Sequence, residues 1–388
     1  MTQNIYCMNE ISSHGLQHLT EEYTLTKQWE TADAVLVRSA DMHSTEFPRS
    51  LKSIARAGAG VNNIPLDRCT AEGIVVFNTP GANANGVKEL VIAGMLMAAR
   101  DIHGGIDWVS ANRDDEEVAA HAEKQKKKYA GTEIRGKKLG VIGLGAIGAL
   151  VANAAESLGM TVYGYDPFIS VNAAWMLSRT IKHIETLDEI YENCDYITVH
   201  VPLLPNTKGM INRESIEKMK DGVVILNYAR DLLVDEEAMA EALESGKVKR
   251  YMADFPNTRT VKMKNATITP HLGASTEESE DNCAKMAVEQ TMAYLETGTI
   301  RNSVNFPNCE LAPFRGSCRL AIFNENKPNM IGQFTAVLAA EGVNILDMSN
   351  KSRGNVAYTV IDPEEEISAA AVEKLTQIDG VLRVRVVR

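Results

Sequence analysis

Short apolar runs alternate with longer helix-like stretches through the first hundred residues of the chain. The apolar runs are rich in β-branched residues and are bounded by Gly, Pro or Asn, which predicts strands. These predicted strands are 34–38, 53–57 and 74–78. A longer amphipathic stretch predicts a helix over 83–102. Strands that alternate with helices in this way predict a parallel sheet with crossover helices.

A second α/β pattern runs from about Lys138 to Thr269, after a charged, Lys-rich segment at 113–130 that predicts a solvated helix or loop. Five apolar strands are predicted in it: L-G-V-I-G, T-V-Y-G-Y-D, Y-I-T-V-H-V-P, G-V-V-I-L-N and A-T-I-T-P. A long helix is then predicted to run to about Glu296. Ser275 and Glu278 have the spacing of a capping box at its start.

The last segment, 317–388, has the order strand, helix, strand, strand, helix, strand, which is the split β-α-β pattern of ferredoxin-like domains. An irregular stretch at 303–316, which contains two prolines, predicts a linker before it. The expected fold class is therefore α/β, with two doubly wound parallel sheets and a C-terminal ferredoxin-like domain.

Composition narrows the function. The chain is 45% hydrophobic and 23% charged, so it can bury large cores, and a net charge of −11 argues against nucleic acid as the main partner. Six cysteines without a C-x-x-C pair predict reduced thiols, and the eight histidines form no visible metal-ligand cluster. With no signal-like start and no apolar run that could span a bilayer, we expect a cytoplasmic protein without membrane contact.

The sequence G-L-G-A-I-G follows one predicted strand and opens a helix. Gly143 would allow the tight turn, Gly145 would let the backbone approach a pyrophosphate, and Gly148 would let helix and strand pack closely. The amides of Ala146 and Ile147 would then point at a phosphate from the helix N-terminus. The alternatives are a plain Gly-rich turn and a site for a different mononucleotide.

The next predicted strand ends at Asp166, where a carboxylate can accept hydrogen bonds from both ribose hydroxyls. A 2′-phosphate would be repelled there, and the following residues, Pro167 and Phe168, offer no arginine to hold it. These features predict NAD, rather than NADP, as the cofactor.

Two residues that suit hydride transfer follow later strands. Arg230 comes after V-I-L-N-Y-A and His271 after A-T-I-T-P, and ligands of open parallel sheets bind beyond the carboxyl ends of strands. A histidine can take the proton of a hydroxyl group, and an arginine can hold a carboxylate in its fork of donors. The spacing alone leaves open a solvated loop histidine and a surface arginine.

These motifs together resemble the D-2-hydroxyacid dehydrogenase family. The resemblance rests on G-L-G-A-I-G, Asp166, N-Y-A-R and T-P-H-L-G-A-S-T, and it extends to R-A-G-A-G-V-N-N-I and G-I-V-V-F-N-T-P-G-A-N-A near the N-terminus. The C-terminal N-E-N-K-P-N-M-I-G and E-G-V-N-I resemble an ACT domain. The resemblance along the whole chain implies a substrate-binding domain at 1–97 and 273–302 and an NAD-binding Rossmann domain at 98–272. It also implies a linker at 303–316 and an ACT regulatory domain at 317–388.

The resemblance implies NAD-dependent oxidation of 3-phosphoglycerate to 3-phosphohydroxypyruvate, the first step of phosphorylated L-serine biosynthesis, by a homodimer or homotetramer. It makes Arg230 and His271 the catalytic residues, and it places Asp254 at the nicotinamide carboxamide and Pro202 beside the adenosine. The positions that it assigns to substrate contact are Arg38, Arg56, Ala59 and Asn83. The rival functions are oxidation or reduction of glyoxylate, hydroxypyruvate or lactate, and a non-catalytic NAD or amino-acid sensor.

The chain departs from the family pattern at the active site. Asp231 stands where the family has the glycine of A-R-G, and the glutamate that usually follows the aspartate of D-V-F, and pairs with the histidine, is missing. One hypothesis is that Glu277 or Glu278 replaces this glutamate. The other is that His271 works without a carboxylate partner.

The ACT-like segment departs as well. Members that sense serine carry a histidine and two asparagines at the ligand interface. Asn326 and Asn344 match the asparagines, whereas Asn324 replaces the histidine and Asn329 replaces the usual glycine. Because asparagine can both donate and accept, an L-serine effector site is one prediction. A domain that only dimerises is the other.

Overall fold

A computed structural model describes residues 2–313 and 317–387, and the chain divides into two compact units. The first unit consists of Met1–Ala82 and Glu280–Arg388, and the second of Asn83–Ser279. No helix among the described residues is long and apolar enough to cross a membrane. Residues 314–316 of the predicted linker, and the two terminal residues, lie outside the described residues.

The N-terminal part of the first unit is a five-stranded parallel sheet with the order β2-β1-β3-β4-β5. Its strands are β1 (Gln3–Cys7), β2 (Tyr23–Thr26), β3 (Ala34–Val37), β4 (Ser53–Arg56) and β5 (Val75–Phe77), and its helices are α1 (Ser13–Leu16) and α2 (Leu66–Ala71). Strands β3 and β5 are buried along their whole length, because their side chains are all apolar.

The second unit is a seven-stranded parallel sheet with the order β12-β11-β10-β9-β6-β7-β8. Its helices are α3 (Ala84–Ala99), α4 (Ile102–Ala111), α5 (Val118–Gln125), α6 (Ala146–Ser157), α7 (Val171–Met176), α8 (Leu187–Asn193), α9 (Arg213–Lys218) and α10 (Glu236–Ser245). Its strands are β6 (Lys138–Ile142), β7 (Thr161–Tyr165), β8 (Lys182–His183), β9 (Tyr196–Val199), β10 (Val223–Asn227), β11 (Val248–Ala253) and β12 (Ala266–Ile268). Strands β6 and β9 are neighbours although β7 and β8 intervene in sequence, so the chain reverses direction across the sheet there, at the point where open sheets bind ligands.

A long helix, α11 (Glu277–Thr297), leads back into the first unit, which ends in a four-stranded antiparallel sheet with the order β14-β15-β13-β16. Its elements are β13 (Arg319–Glu325), α12 (Met330–Ala340), β14 (Ile345–Arg353), β15 (Val356–Pro363), α13 (Ala369–Thr376) and β16 (Val381–Val387). One face of this sheet packs against Phe334 of α12 and Leu375 of α13. The other face contributes Phe323 and Tyr358 to the core that also contains Phe77 of β5.

The predicted α/β class with parallel sheets is confirmed, but the boundaries differ. Residues 83–97 belong to the second unit because α3 packs Val87, Val91 and Met95 into that unit's core. Residues 273–279 also belong there, and 317–387 share one compact unit and one core with the first sheet.

Several local predictions need correction. The second sheet has seven strands rather than five, since β8 and β11 were not predicted. The residues Lys249 and Arg250 interrupt the apolar run of β11, which hides it from a periodicity search. At the start of α11 the amide of Ser279 donates to Thr276 Oγ1, so the predicted capping box of Ser275 and Glu278 is wrong.

Candidate active site

The glycine loop after β6 has the tight geometry that a dinucleotide needs. Gly143 has a φ of 92°, and a Cβ there would lie 2.7 Å from the carbonyl oxygen of His200. A Cβ on Gly148 would lie 1.8 Å from Gly143 O, whereas one on Gly145 would meet open space. Steric contacts within the protein therefore exclude larger residues at Gly143 and Gly148. At Gly145 the backbone is accessible to a ligand.

Helix α6 begins at the end of this loop and presents unused backbone donors. Gly145 precedes the helix in an extended conformation, and the first helical bond runs from Ala149 N to Gly145 O. The amides of Ala146 and Ile147 lie in the first turn, where helical N–H groups have no intrahelical acceptor. Together with the helix dipole, they form a site suited to a phosphate.

Asp166 follows β7 and is tied to the glycine loop. Its Oδ2 accepts a 2.9 Å bond from the amide of Leu144, and its Oδ1 accepts a 2.9 Å bond from the amide of Phe168. The carboxylate is half-buried and thus retains capacity for ribose hydroxyls. The glycine cradle and this carboxylate fit a dinucleotide with an unphosphorylated ribose, as the sequence predicts.

The segment after β9 flanks the same loop. Pro202 is exposed, and its carbonyl accepts a bond from Thr207 Oγ1 at 2.6 Å. His200, which the sequence reasoning missed, lies next to Gly143, and its Nε2 is 2.9 Å from Thr198 Oγ1. Its buried Nδ1 has no partner in the described part of the chain, and burial lowers the pKa of this histidine to about 4. Its place in the H-V-P run was the available signal.

The buried carboxylate of Asp254 organises the loop that carries His271. Its Oδ1 accepts bonds from Thr269 Oγ1 at 2.5 Å and from the amide of Leu272 at 2.8 Å. Its Oδ2 accepts a 2.7 Å bond from the amide of Gly273. These donors lie on both sides of His271, so Asp254 fixes the loop. Its predicted contact with a nicotinamide stays a prediction.

His271 is exposed at the carboxyl end of β12 in a left-handed conformation, with a φ of 59°. Its amide donates to Thr269 O at 3.0 Å, and its ring meets Phe255 edge-on with 5.2 Å between ring centres. A non-glycine residue with positive φ is strained, and such strain persists where neighbouring bonds determine the backbone.

Among the residues that the structure describes, no carboxylate pairs with this histidine. Within residues 2–313 and 317–387, the histidines that lie within 4.0 Å of a carboxylate are His43, His103 and His121. Glu277 and Glu278, in the first turn of α11, make no such contact with His271. The hypothesis that His271 works unpaired therefore agrees better with this geometry.

Arg230 is exposed, three residues beyond the end of β10. Its carbonyl accepts a 2.8 Å bond from Asn227 Nδ2, and its Nη1 donates to Ala229 O at 2.6 Å. Asp231, at the departure from A-R-G, starts a short 3-10 turn. Asn83 precedes α3, and its side chain does not cap that helix. Three residues with predicted catalytic or substrate roles therefore lie in the second unit, namely Asn83, Arg230 and His271, and so does Asp254, which is predicted to contact the cofactor.

The other predicted substrate residues lie together in the first unit. Arg56 Nε donates to Arg38 O at 3.0 Å, and Gly58 leaves room for the Arg56 guanidinium, since a Cβ would lie 2.5 Å from its Nη1. Ala59 O accepts a 2.7 Å bond from Asn78 Nδ2. Arg38 forms a two-pronged ion pair with Glu280, a residue that the sequence reasoning missed because α11 brings it from far along the chain.

The three predicted effector residues are not gathered within one chain. Asn324 is buried on β13, and its Oδ1 has no partner in the part of the chain that the structure describes. Asn326 bonds Gly354 O just before β15, and Asn344 bonds Glu364 Oε2 just after it. A strand of that length separates the last two by about 25 Å.

Comparison with known proteins agrees with this geometry. Residues 92–273 match the sequence profile of the NAD binding domain of D-isomer specific 2-hydroxyacid dehydrogenase. The chain is 33% identical to a D-3-phosphoglycerate dehydrogenase of Haemophilus influenzae, over 84% of this chain and 79% of that one.

Two further relatives extend the comparison. The chain is 38% identical to a D-3-phosphoglycerate dehydrogenase of Archaeoglobus fulgidus over 73% of its own length, but spans only 53% of that longer relative. The fold is similar to the NAD+-bound crystal structure of a 3-phosphoglycerate dehydrogenase from Entamoeba histolytica. That comparison has a TM-score of 0.60 and 29% identity, and covers 79% of this chain and 99% of the other.

Proposed function

This chain belongs to the D-isomer specific 2-hydroxyacid dehydrogenases and is an NAD-dependent oxidoreductase, and we propose that it oxidises 3-phosphoglycerate to 3-phosphohydroxypyruvate. The observation that carries the proposal is the similarity to D-3-phosphoglycerate dehydrogenases, which extends over 84% of the chain in the Haemophilus relative. The reaction would supply the first intermediate of phosphorylated L-serine biosynthesis.

His271 acts as the base in this proposal. Oxidation of a 2-hydroxy acid removes a proton from the hydroxyl oxygen and a hydride from the carbon, and NAD bound at the glycine loop supplies the hydride acceptor. An exposed imidazole at the end of β12 can take the hydroxyl proton, and Asp254 fixes the loop on which it stands. Arg230, exposed at the end of β10, holds the substrate carboxylate in its fork of donors.

Arg38 and Arg56 bind the phosphate group in this proposal. The two residues are adjacent in the first unit, where Arg56 Nε bonds the backbone carbonyl of Arg38. A doubly charged phosphate needs more than one cationic donor group, which glyoxylate or lactate does not. Ala59 and Asn83 are the remaining substrate contacts that we propose.

Steady-state rates test the substrate assignment. We expect the purified chain to oxidise 3-phosphoglycerate with NAD at a kcat/KM at least about tenfold above that with glycerate or lactate, and with NADP at a much lower rate. His271→Ala should lose about a hundredfold to ten-thousandfold in kcat, the contribution that a general base makes. Equal rates with unphosphorylated acids would contradict the phosphate assignment, and full activity of His271→Ala would contradict the mechanism.

The C-terminal four-stranded sheet has the topology that an ACT domain requires, and we propose that it is a regulatory domain for L-serine. The buried Oδ1 of Asn324, which has no partner among the described residues, leaves an acceptor for an amino-acid ligand. Since Asn326 and Asn344 are about 25 Å apart along β15, a second copy of the chain would have to supply one of them. Inhibition by L-serine that Asn344→Ala abolishes is the expected result, and insensitivity to serine would leave only a dimerising role.

A cytoplasmic homo-oligomer is the proposed assembly, formed through residues 102–129. Helices α4 and α5 contain no buried residue, and Ile106 and Val109 on one face of α4 are 58% and 56% exposed. Amphipathic helices without a covered apolar face gain stability by packing, and a second copy offers the same face. Ile106→Glu should therefore shift the sedimentation coefficient toward that of a monomer. An unchanged coefficient would exclude this interface.

A further inference from the structure

We propose that Glu280 sets the affinity of this protein for phosphorylated substrates by competing for the guanidinium of Arg38. The inference rests on the proposed function in one respect, namely that Arg38 contacts the phosphate group. It assigns to Glu280 a role in specificity that the sequence pattern did not indicate.

The ion pair between Arg38 and Glu280 occupies both terminal nitrogens of the guanidinium group. Arg38 Nη2 donates to Glu280 Oε1 at 2.6 Å, and Arg38 Nη1 lies 2.6 Å from Glu280 Oε2. The same two nitrogens form the geometry with which arginine binds phosphate oxygens in a bidentate manner. A phosphate that approaches this end of Arg38 must therefore displace the carboxylate.

The pair is strong enough to form and weak enough to be replaced. The two side chains are 40% and 41% exposed, so water screens their attraction and a stronger anion can exchange with the carboxylate. Arg56 bonds the backbone carbonyl of Arg38, so a second cationic residue adjoins the pair. Glu280 thus cancels part of the positive charge that attracts a phosphate dianion.

The direction in which phosphate affinity changes on removal of Glu280 distinguishes competition for Arg38 from positioning of Arg38. If Glu280 only held Arg38 in place, its removal would loosen the arginine and weaken phosphate binding. If it competes, removal of its charge strengthens phosphate binding. A group with two negative charges should respond more than a single carboxylate, because the repulsion scales with charge.

The test compares Glu280→Gln with Glu289→Gln in the full chain. Glu289 lies on the same helix and is exposed near Lys285, so its substitution removes the same charge away from the arginines. Calorimetry should show that Glu280→Gln lowers the Kd for 3-phosphoglycerate about threefold to tenfold. The Kd for glycerate should change less than about twofold, and Glu289→Gln should change neither. An unchanged or higher Kd for 3-phosphoglycerate overturns the proposal.

A double-mutant cycle shows whether the effect runs through Arg38. In an Arg38→Gln background, the Glu280→Gln substitution should alter the Kd less than about twofold, since the contested donor is gone. A full effect in that background overturns the proposal in favour of general charge. The decrease in Kd that Glu280→Gln causes should also be smaller in about 0.5 M salt, because the Debye length is then only a few ångströms.

Binding of inorganic phosphate distinguishes a failure of this inference from a failure of the proposed function. If the wild-type chain fails to oxidise 3-phosphoglycerate, the proposed function is wrong, but phosphate binding still tests the competition. Glu280→Gln should then lower the Kd for inorganic phosphate relative to the wild type and to Glu289→Gln. Equal Kd values for the three proteins, or no binding by any of them, overturn it.

Discussion

The carboxylate of Asp254 accepts a 2.7 Å hydrogen bond from the amide of Gly273, two residues beyond His271. Its other oxygen accepts from Leu272 and Thr269, so both oxygens are engaged by donors of the same loop. The left-handed backbone of His271 lies between these contacts. A buried acid therefore controls the geometry of the histidine through the backbone, although no carboxylate in the described residues pairs with the His271 ring.

Asp254→Asn should lower kcat by at least about tenfold, because in either orientation the amide group turns an N–H toward Gly273 N–H or Leu272 N–H, and such a mismatch costs about 1–3 kcal/mol. The measurement is the turnover rate at saturating NAD and substrate.

Asp235→Asn provides a matched control for that substitution. Asp235 also accepts backbone amides, those of Glu237 and Ala238, but at the start of α10. The substitution should leave kcat unchanged, because both amides bond the same oxygen and asparagine caps a helix as well as aspartate does. If both variants lose activity equally, Asp254 has no special influence on the loop.

Asp166→Asn should raise the Kd for NAD about tenfold to a hundredfold and reduce the discrimination against NADP, because a charged acceptor for the ribose is lost. Calorimetric titration with both nucleotides measures the change. Asp188→Asn, which removes an exposed carboxylate paired with Lys218 in the same unit, should leave both affinities unchanged. An unchanged ratio of the two Kd values in Asp166→Asn would show that Asp166 does not select the cofactor.

Arg319→Met should lower the free energy of unfolding by about 3–5 kcal/mol, the usual result of leaving a buried charge without its partner. Arg319 and Asp362 are 2% and 3% exposed and form two bonds of 2.6 and 2.7 Å, and this carboxylate raises the pKa of the arginine. Arg319 also donates to Thr297 O and Ala312 O, which joins the C-terminal sheet to the end of α11.

Urea unfolding measures that loss, and the exposed pair of Arg301 and Glu310 supplies the comparison. Arg301→Gln should change the free energy by no more than about 1 kcal/mol, as surface ion pairs do. A similar effect of both substitutions would mean that burial adds nothing to the pair of Arg319 and Asp362.

Local patterns predicted those parts of the site whose chemistry depends on neighbours in sequence. The glycine loop and Asp166 could be predicted from the sequence, because a strand, a turn and a helix N-terminus must follow one another in the chain. His271 and Arg230 follow strands, so their position at the carboxyl ends of a parallel sheet could be expected.

Contacts between distant residues could not be predicted in the same way. Glu280 and Arg38 are 242 positions apart, and the pair exists only because α11 passes beside β3. The strand β11 was missed because two charged side chains interrupt its apolar run, while the strands β10 and β12 pair with it on either side and hold it in the sheet. Tertiary packing, rather than local preference, decides both features.

His200 makes the stability of the second unit depend on pH. Burial lowers its pKa from 6.5 to about 4, so between these values the unfolded chain binds a proton that the folded chain does not. The sign follows from linkage: stability rises with pH wherever the unfolded state binds more protons. Acidification from pH 6.5 to pH 4 should therefore remove about 3 kcal/mol of stability, at 1.36 kcal/mol for each pKa unit.

His200→Gln should flatten that pH dependence, because glutamine does not titrate. The free energy of unfolding should be measured by urea titration at several pH values between 4 and 7. His183→Gln is the matched control, since His183 is exposed on β8 of the same sheet and should leave the slope as it is in the wild type. Parallel curves for the wild type and His200→Gln would mean that the buried imidazole is not the group that titrates. A flattened curve for His200→Gln alone would place the proton at the side chain that borders the glycine loop.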